Sequence, residues 1–346
     1  MSNSRRNKRK KWDDNRSRKL QQKWYGREER IKNQGGLRNL EQDKVYYDKS
    51  HQLIAKVPEN FSLIHNTEET VKYFNHIISV IEKKCFKQKF YINAFDVEYV
   101  TTEALIYMIA VVYNIKANRA LQYSFEGNLP FNRMAREVFE KSGYLNYFKM
   151  KRLKMPDSSE CVQIVSGNLV DPHVAQHMCD FVISKLQIDR EKTRVLYATL
   201  IELMSNTAKH AYKAEQKEML ECWYLYAIYK DEKITFSFVD TGQGIPRTIK
   251  KKYIEKVNPT ITDAQLIKLA LTDSGRSETR LPNRGKGLPQ LYGQVQNNNI
   301  SDFFVLSGAG SCTFEKANEE LTLSNFPHRI YGTIFSFSIK REDYYV

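Results

Sequence analysis

Four groups of residues in this 346-residue chain have the types and spacing to do chemistry. Glu202, Asn206 and His210 fall at i, i+4 and i+8, so on a helix they span about 80° of one face. A carboxylate and a carboxamide one turn apart offer hard oxygen ligands, and magnesium is commonly held by one or two such groups plus phosphates and waters. The same carboxylate could orient or deprotonate a nucleophile. In Asp240-Thr241-Gly242-Gln243-Gly244 a carboxylate able to accept a hydrogen bond from an exocyclic amine stands beside two glycines that tolerate φ > 0 and close backbone approach. At Arg284-Gly285-Lys286-Gly287 a helix would present unpaired N–H groups to a phosphate, with Arg284 and Lys286 adding positive charge. Gly332-Thr333 opens a final β-rich stretch. Each group alone has a plainer reading: a solvated helix face, an ordinary turn, a loop-to-helix joint.

These residues need particular elements beneath them. Leu196, Leu200, Leu203, Met204 and Ala211 fall mostly opposite Glu202 and Asn206, which predicts an amphipathic helix with its apolar side on a core. Residues 233–239 alternate apolar and polar as a half-buried strand does, and end at Asp240. The apolar run 288–295 suits a helix after the second glycine turn. Neither the P-loop pattern nor the full Rossmann glycine set occurs at a strand–helix junction.

In their order, the four groups resemble the motifs of the ATPase superfamily that includes DNA gyrase, the heat-shock chaperone, MutL and the sensor histidine kinases. The resemblance covers about residues 171–339 and implies the left-handed α/β sandwich called the Bergerat fold. It implies ATP and Mg2+ as cofactors, with Asn206 on the metal, Glu202 activating the nucleophile or water, and Asp240 reading the adenine amine. Gly242 and Gly244 would admit the nucleotide, Gly285, Lys286 and Gly287 would wrap its phosphates under a mobile lid at about 246–283, and Thr333 would sit near the base. Residues 206–212 (Asn-Thr-Ala-Lys-His-Ala-Tyr) are similar to the helix motif of anti-sigma-factor serine kinases. Only seven residues follow Ile339, so no transducer domain of the gyrase or MutL kind is expected. His173 and His177 lack the heptad-patterned helical pair of a sensor histidine kinase. Pro289 stands where relatives usually carry a small residue, a position a first helical turn tolerates. Within the lid, Arg276 or Arg280 could reach a terminal phosphate or simply lie exposed.

Composition frames this reading. Hydrophobic residues make up 41% of the chain, ordinary for a soluble globule, and no run reaches the roughly 20 apolar residues of a membrane helix. No signal peptide is evident, and the five cysteines lack C-x-x-C spacing, which predicts reduced thiols in a cytoplasmic protein without structural zinc. The net charge is +14, of which residues 1–44 carry +9, leaving +5 for the rest. This tail (1–44) is expected to be disordered alone and to meet nucleic acid, an anionic membrane or a protein, or to act as a solubilising arm.

Residues 45–150 form a second unit with the rhythm strand, helix, strand, helix, strand, helix: extended near 52–57, helical at 67–84, strand at 90–95, helical at 101–117, strand at 121–125 and helical at 131–142, stopped by Gly143. Alternation of this kind predicts an α/β sheet packed by helices. Residues 92–105 resemble the STAS domain of anti-sigma-factor antagonists. Thr101 and Thr102 stand at the phosphorylatable hydroxyl positions, Val100 replaces the aspartate and Glu103 the usual glycine; a threonine here also serves as a plain N-cap. Residues 151–167 read as a connector, within which 161–165 could be a first strand of the ATP-binding domain at 168–346.

The fold class expected is therefore α/β (α+β), a STAS-like unit followed by a Bergerat-type sandwich. The function expected is an ATP-binding regulatory protein, either a Mg-dependent ATPase or a serine/threonine kinase of the anti-sigma-factor type. A non-catalytic ATP-gated switch acting on a protein partner through the STAS-like unit, and a nucleic-acid-associated ATPase, are the alternatives. A homodimer is compatible with all of them.

Overall fold

The computed structural model describes residues 45–47, 53–82, 88–117, 123–147, 160–210, 222–252, 260–272, 287–314 and 320–341. From Tyr47 onward the described residues belong to one compact unit, Tyr47–Val346. The expectations for the basic tail and for residues 151–159 lie outside the described residues.

The architecture is α/β. Its first layer is a parallel sheet of β1 (Leu53–Lys56), β2 (Gln88–Asn93) and β3 (Tyr123–Gly127), in register Leu53↔Phe90↔Phe125. Parallel neighbours need crossovers, and α1 (Thr67–Glu82) and α2 (Thr102–Ala117) supply them. Where β2 and β3 end, Asn128 closes the sheet: its Oδ1 accepts from the Ala94 amide at 2.6 Å and its Nδ2 donates to Asn93 Oδ1 at 2.8 Å. The amphipathic α3 (Arg133–Lys141) follows, capped by Asn132, whose side chain accepts from the Ala135 amide at 3.1 Å. It stops before Gly143, whose φ of +81° a side chain would resist. The short α4 (Tyr144–Tyr147) ends this half.

The second layer is a seven-stranded antiparallel sheet. It contains β4 (Cys161–Gly167), β5 (Trp223–Lys230), β6 (Lys233–Asp240), β7 (Ser301–Ser307), β8 (Gly310–Phe314), β9 (Leu321–Asn325) and β10 (Thr333–Lys340), in the spatial order β9-β8-β7-β10-β6-β5-β4. Residues 161–167 are thus an edge strand of this sheet, paired with β5, rather than linker. Along the central strands the side chains alternate as the pleat requires. Phe236, Phe238, Phe335 and Phe337 join the core shared with α5 (Pro172–Leu186) and α6 (Arg194–His210). Phe236 and Phe337 stack with ring centroids 5.2 Å apart, which adds about 0.5–1.5 kcal/mol beyond area burial. Asp171 caps α5 by accepting from the His173 and Val174 amides, with Pro172 at the first helical position.

The opposite sheet face carries Thr235, Ser237 and Val239, and it too is covered. Residues 103–112 of α2 are all buried, as an all-round apolar helix demands, and α2 packs on β5, β6 and β10 as well as on β3. Thr102 Oγ1 and Ser237 Oγ lie 2.6 Å apart across this contact. The Thr101 side chain makes no capping bond to an α2 amide: its buried hydroxyl lies beside the Glu103 carboxylate, one oxygen of which is also buried. Among the described residues no helix is long and apolar enough to cross a membrane.

Burial pushes the Glu103 carboxyl up to about 7, from an unfolded value near 4.5. Between those values the native state keeps a proton that the unfolded chain has released, so stability is greatest below the unfolded value and declines as pH rises through about 7, by roughly 3 kcal/mol in all. Urea unfolding of Glu103→Gln should therefore lose most of this decline and show a more stable protein than the parent above about pH 8. Parallel pH profiles for parent and variant would contradict the assignment.

Candidate functional site

The helix α6 places the predicted polar pair as its apolar spacing requires. Leu196, Leu200, Leu203 and Met204 are buried in the core, while Glu202 and Asn206 are half-buried on the other flank, one turn apart. Ala211 lies outside the described residues. Thr207, also inward, satisfies its hydroxyl on the Leu203 carbonyl at 3.2 Å.

Against that flank comes α9 (Gly287–Gln296), the helix expected after the second glycine turn. Its first residue, Gly287, abuts the Glu202 side chain so closely that a Cβ there would overlap Glu202 Cγ and Cδ. The positive end of α9 therefore meets a carboxylate, the favourable polarity for a helix N-terminus. Gly285 and Lys286, with Arg284, Arg276 and Arg280, lie outside the described residues. Pro289 sits in the first turn of α9, and the helix runs on through it.

A second cluster surrounds Asp240. This residue follows Phe236 and Phe238 in the pleat, so it continues the helix-facing side of β6 at the strand's end. Asp240 Oδ1 accepts from the Gly242 amide at 2.8 Å, which fixes the carboxylate against its own turn. Thr333 is its register partner on β10 and is buried. Beneath the turn, Ser307 Oγ donates to the Gly332 carbonyl at 2.8 Å, accepts from the Ile245 amide at 3.0 Å and lies 3.2 Å from Thr333 Oγ1. Gly244 and Gly332 have φ of +79° and +78°. A Cβ on Gly244 would press on Ser307 Oγ at 2.9 Å, and one on Gly332 would run into the Asp240 carbonyl. The immediate reason for both glycines is thus internal packing of the corner, in addition to the ligand approach that the resemblance implies for Gly244.

The segment expected to form a lid is partly built into the core. The turn Gly242–Gly244 runs into α7 (Ile245–Lys252), and α8 (Asp263–Thr272) buries Ala264, Leu266, Ile267 and Leu271. Asp263 anchors α8 on the β7–β8 turn: it accepts from the Ala309 amide at 2.9 Å and meets Lys250 Nζ at 3.3 Å and Arg329 Nη2 at 3.4 Å. Residues 273–286 lie outside the described residues.

The sequence-predicted residues accordingly gather as two groups on the helix side of one sheet, Glu202 and Asn206 with Gly287, and Asp240, Gly242 and Gly244 with Thr333. Ser307 was not singled out. Its trace in the sequence is a hydroxyl closing the apolar run 303–306 immediately before Gly308, a weak signal because serine is common at strand ends. Among the described residues no three His, Cys, Asp or Glu side chains are grouped to hold a metal, and Cys161, Cys179, Cys222 and Cys312 form no disulfide. No protein-family model matches the chain, and no curated protein matches it either.

The Gly287–Glu202 contact makes a specific demand. Gly287→Ala must push the half-buried Glu202 side chain aside, a shift a flexible side chain can make, so it should destabilise the protein by about 1 kcal/mol or less. In a Glu202→Ala background, where that space is open, the same change should cost well under half as much, a coupling measurable by a double-mutant cycle in urea. Additive effects would mean that the two residues are not in contact in solution.

Proposed function

We propose that the helix side of the second sheet binds ATP with magnesium, in a pocket of the Bergerat type, and that the chain is a cytoplasmic regulatory ATPase or serine/threonine kinase resembling the anti-sigma-factor kinases. The observation that carries this reading is the seating of Gly287 on Glu202, which joins the opening of a phosphate-suited helix to the helix bearing the carboxylate and Asn206. The resident residues suit the group. Magnesium asks for one or two protein oxygens, which the Asn206 amide and the neighbouring Glu202 can offer. Asp240, held at the end of a central strand by its own turn, is a rigid acceptor for an exocyclic amine. Bound ATP would supply the transferable phosphoryl group and magnesium its charge neutralisation; the protein's part is positioning and electrostatics.

Thr102 bears on the choice between kinase and switch. Its hydroxyl is engaged with Ser237 on the face of β6 opposite to Asp240, so with α2 docked the sheet stands between it and the proposed pocket. This favours an acceptor on another protein, or a switch in which nucleotide occupancy changes what the N-terminal unit offers to a partner.

Calorimetry with Mg-ATP tests the reading directly. The parent protein should bind, and Asp240→Asn and Asn206→Ala should each lower affinity at least about tenfold, corresponding to roughly 1.4 kcal/mol. Glu202→Ala should keep binding but lose turnover of γ-labelled ATP if the protein is an enzyme, whereas a pure switch shows no turnover in the parent. Unaltered affinity in both Asp240→Asn and Asn206→Ala would sink the proposed pocket.

A further inference from the structure

The segment 329–333 is gripped from two sides. On one side it belongs to the corner around Asp240: the Ile330 amide donates to the Gly308 carbonyl at 2.9 Å, the Gly332 carbonyl accepts from Ser307 Oγ, and Gly332 rests on the Asp240 peptide. On the other side it is held by the N-terminal half. Asn75 Nδ2 on α1 donates to the Arg329 carbonyl at 2.8 Å, and the Tyr331 amide donates to Tyr107 Oη on α2 at 3.0 Å. Tyr107 is fully buried, wedged edge-on against Phe74 with ring centroids 4.7 Å apart. A buried phenol in that setting has little rotational freedom, so its oxygen is a fixed point for the Tyr331 amide.

We infer that Tyr107 is a positioning residue through which the N-terminal half sets the base-reading end of the nucleotide pocket, acting by way of Tyr331 and Gly332 on Asp240 and Thr333. The inference rests on the nucleotide reading above for its functional meaning, though the mechanical link does not. The geometry supplies the direction of coupling. Tyr331 is two residues from Thr333, the register partner of Asp240, and Gly332 between them leaves no gap over the Asp240 carbonyl. A shift of the Tyr331 amide therefore reaches the Asp240 turn without passing through a flexible side chain. Burial holds the Tyr107 phenol protonated well above its ordinary range, and the Asp240 charge adds to that effect, which places the two groups within electrostatic reach of each other. The same path runs in reverse: a ligand that tightens the Asp240 corner changes the footing of α2, so the N-terminal unit can report occupancy by linkage.

Tyr107→Phe removes one oxygen and keeps the ring contact with Phe74. Two measurements on the full chain decide the matter. The first needs no nucleotide: amide hydrogen exchange at residues 330–333 should accelerate at least tenfold in Tyr107→Phe, and unchanged exchange there overturns the link. The second is the ratio of Mg-ATP to Mg-GTP affinity. A displaced Asp240 corner should weaken ATP about tenfold and leave GTP nearly unchanged, so the ratio falls. A general loosening of the fold lowers both affinities together, leaves the ratio intact and overturns the positioning role. Thr102→Val, which removes the hydroxyl facing Ser237 at the start of the same helix, should leave the ratio at the parental value, and a matching fall in that variant would also overturn it. If the parent binds neither nucleotide, the pocket reading fails while the exchange measurement still judges the Tyr107 link.

Discussion

A helix that is apolar on every side must be covered on every side, and α2 imposes that constraint on the molecule. Ten consecutive residues, 103–112, are buried. Each large apolar side chain among them is worth about 1.5–3 kcal/mol of burial, which no single sheet face can provide, because a sheet covers only one flank of a helix. The parallel sheet covers one flank and the back of β5, β6 and β10 covers another. The two halves consequently form one compact unit and cannot part without exposing α2. The antiparallel sheet gains by the same contact. With helices on one face and α2 on the other, its central strand β10 is buried from Thr333 to Ile339, and Ser237, Ser336 and Ser338 can sit in the interior.

Local periodicity made most of the elements legible. The alternation in 233–240 and the helical spacing of Leu196, Leu200, Leu203 and Met204 locate β6 and α6 because both are amphipathic. Continuous apolarity made 101–117 legible as a helix, yet its most informative implication, a second covering surface, was not drawn from it. The strand at 161–167 was harder because its partner, β5, lies far along the chain and the pairing includes a register shift between Val162 and Val165. Part of the expected lid is packed helix, since Ala264, Leu266, Ile267 and Leu271 give α8 an apolar face that belongs to the core. Thr101 misled for a physical reason: residue type at a helix start predicts a capping bond, but only the path of the preceding chain decides whether the hydroxyl can reach an amide.

The glycines illustrate how one residue type serves two demands. Gly332 is fixed by its positive φ and by the Asp240 carbonyl beneath it, and Gly244 by its φ and by Ser307. Neither fact needs a ligand. The corner is held largely by backbone contacts, and the Gly242 amide ties one Asp240 carboxylate oxygen to its own turn. Gly287 differs: it makes room for the Glu202 carboxylate, bringing a negative charge to a helix terminus that would otherwise favour an anion. A phosphate at that terminus and a carboxylate beside it repel each other unless a cation stands between them.

The start of α2 limits what its two threonines can carry. Glu103 is buried beside the Thr101 hydroxyl, and Thr102 is engaged with Ser237 in the contact between α2 and the second sheet. A phosphate on either threonine would bring about two negative charges into a place where even the single carboxylate of Glu103 is driven towards neutrality by burial. Desolvation of that size opposes docking far more than one hydroxyl contact favours it. The docked arrangement is thus compatible only with unmodified threonines, and modification there would act by separating α2 from the sheet. Because α2 also holds the Tyr331 amide, that separation would loosen the Asp240 corner as well. Docking at the back of the sheet and order at the Asp240 corner share α2, so full separation of the helix would loosen the corner, whereas loss of the single Thr102–Ser237 contact leaves the Tyr107 link in place.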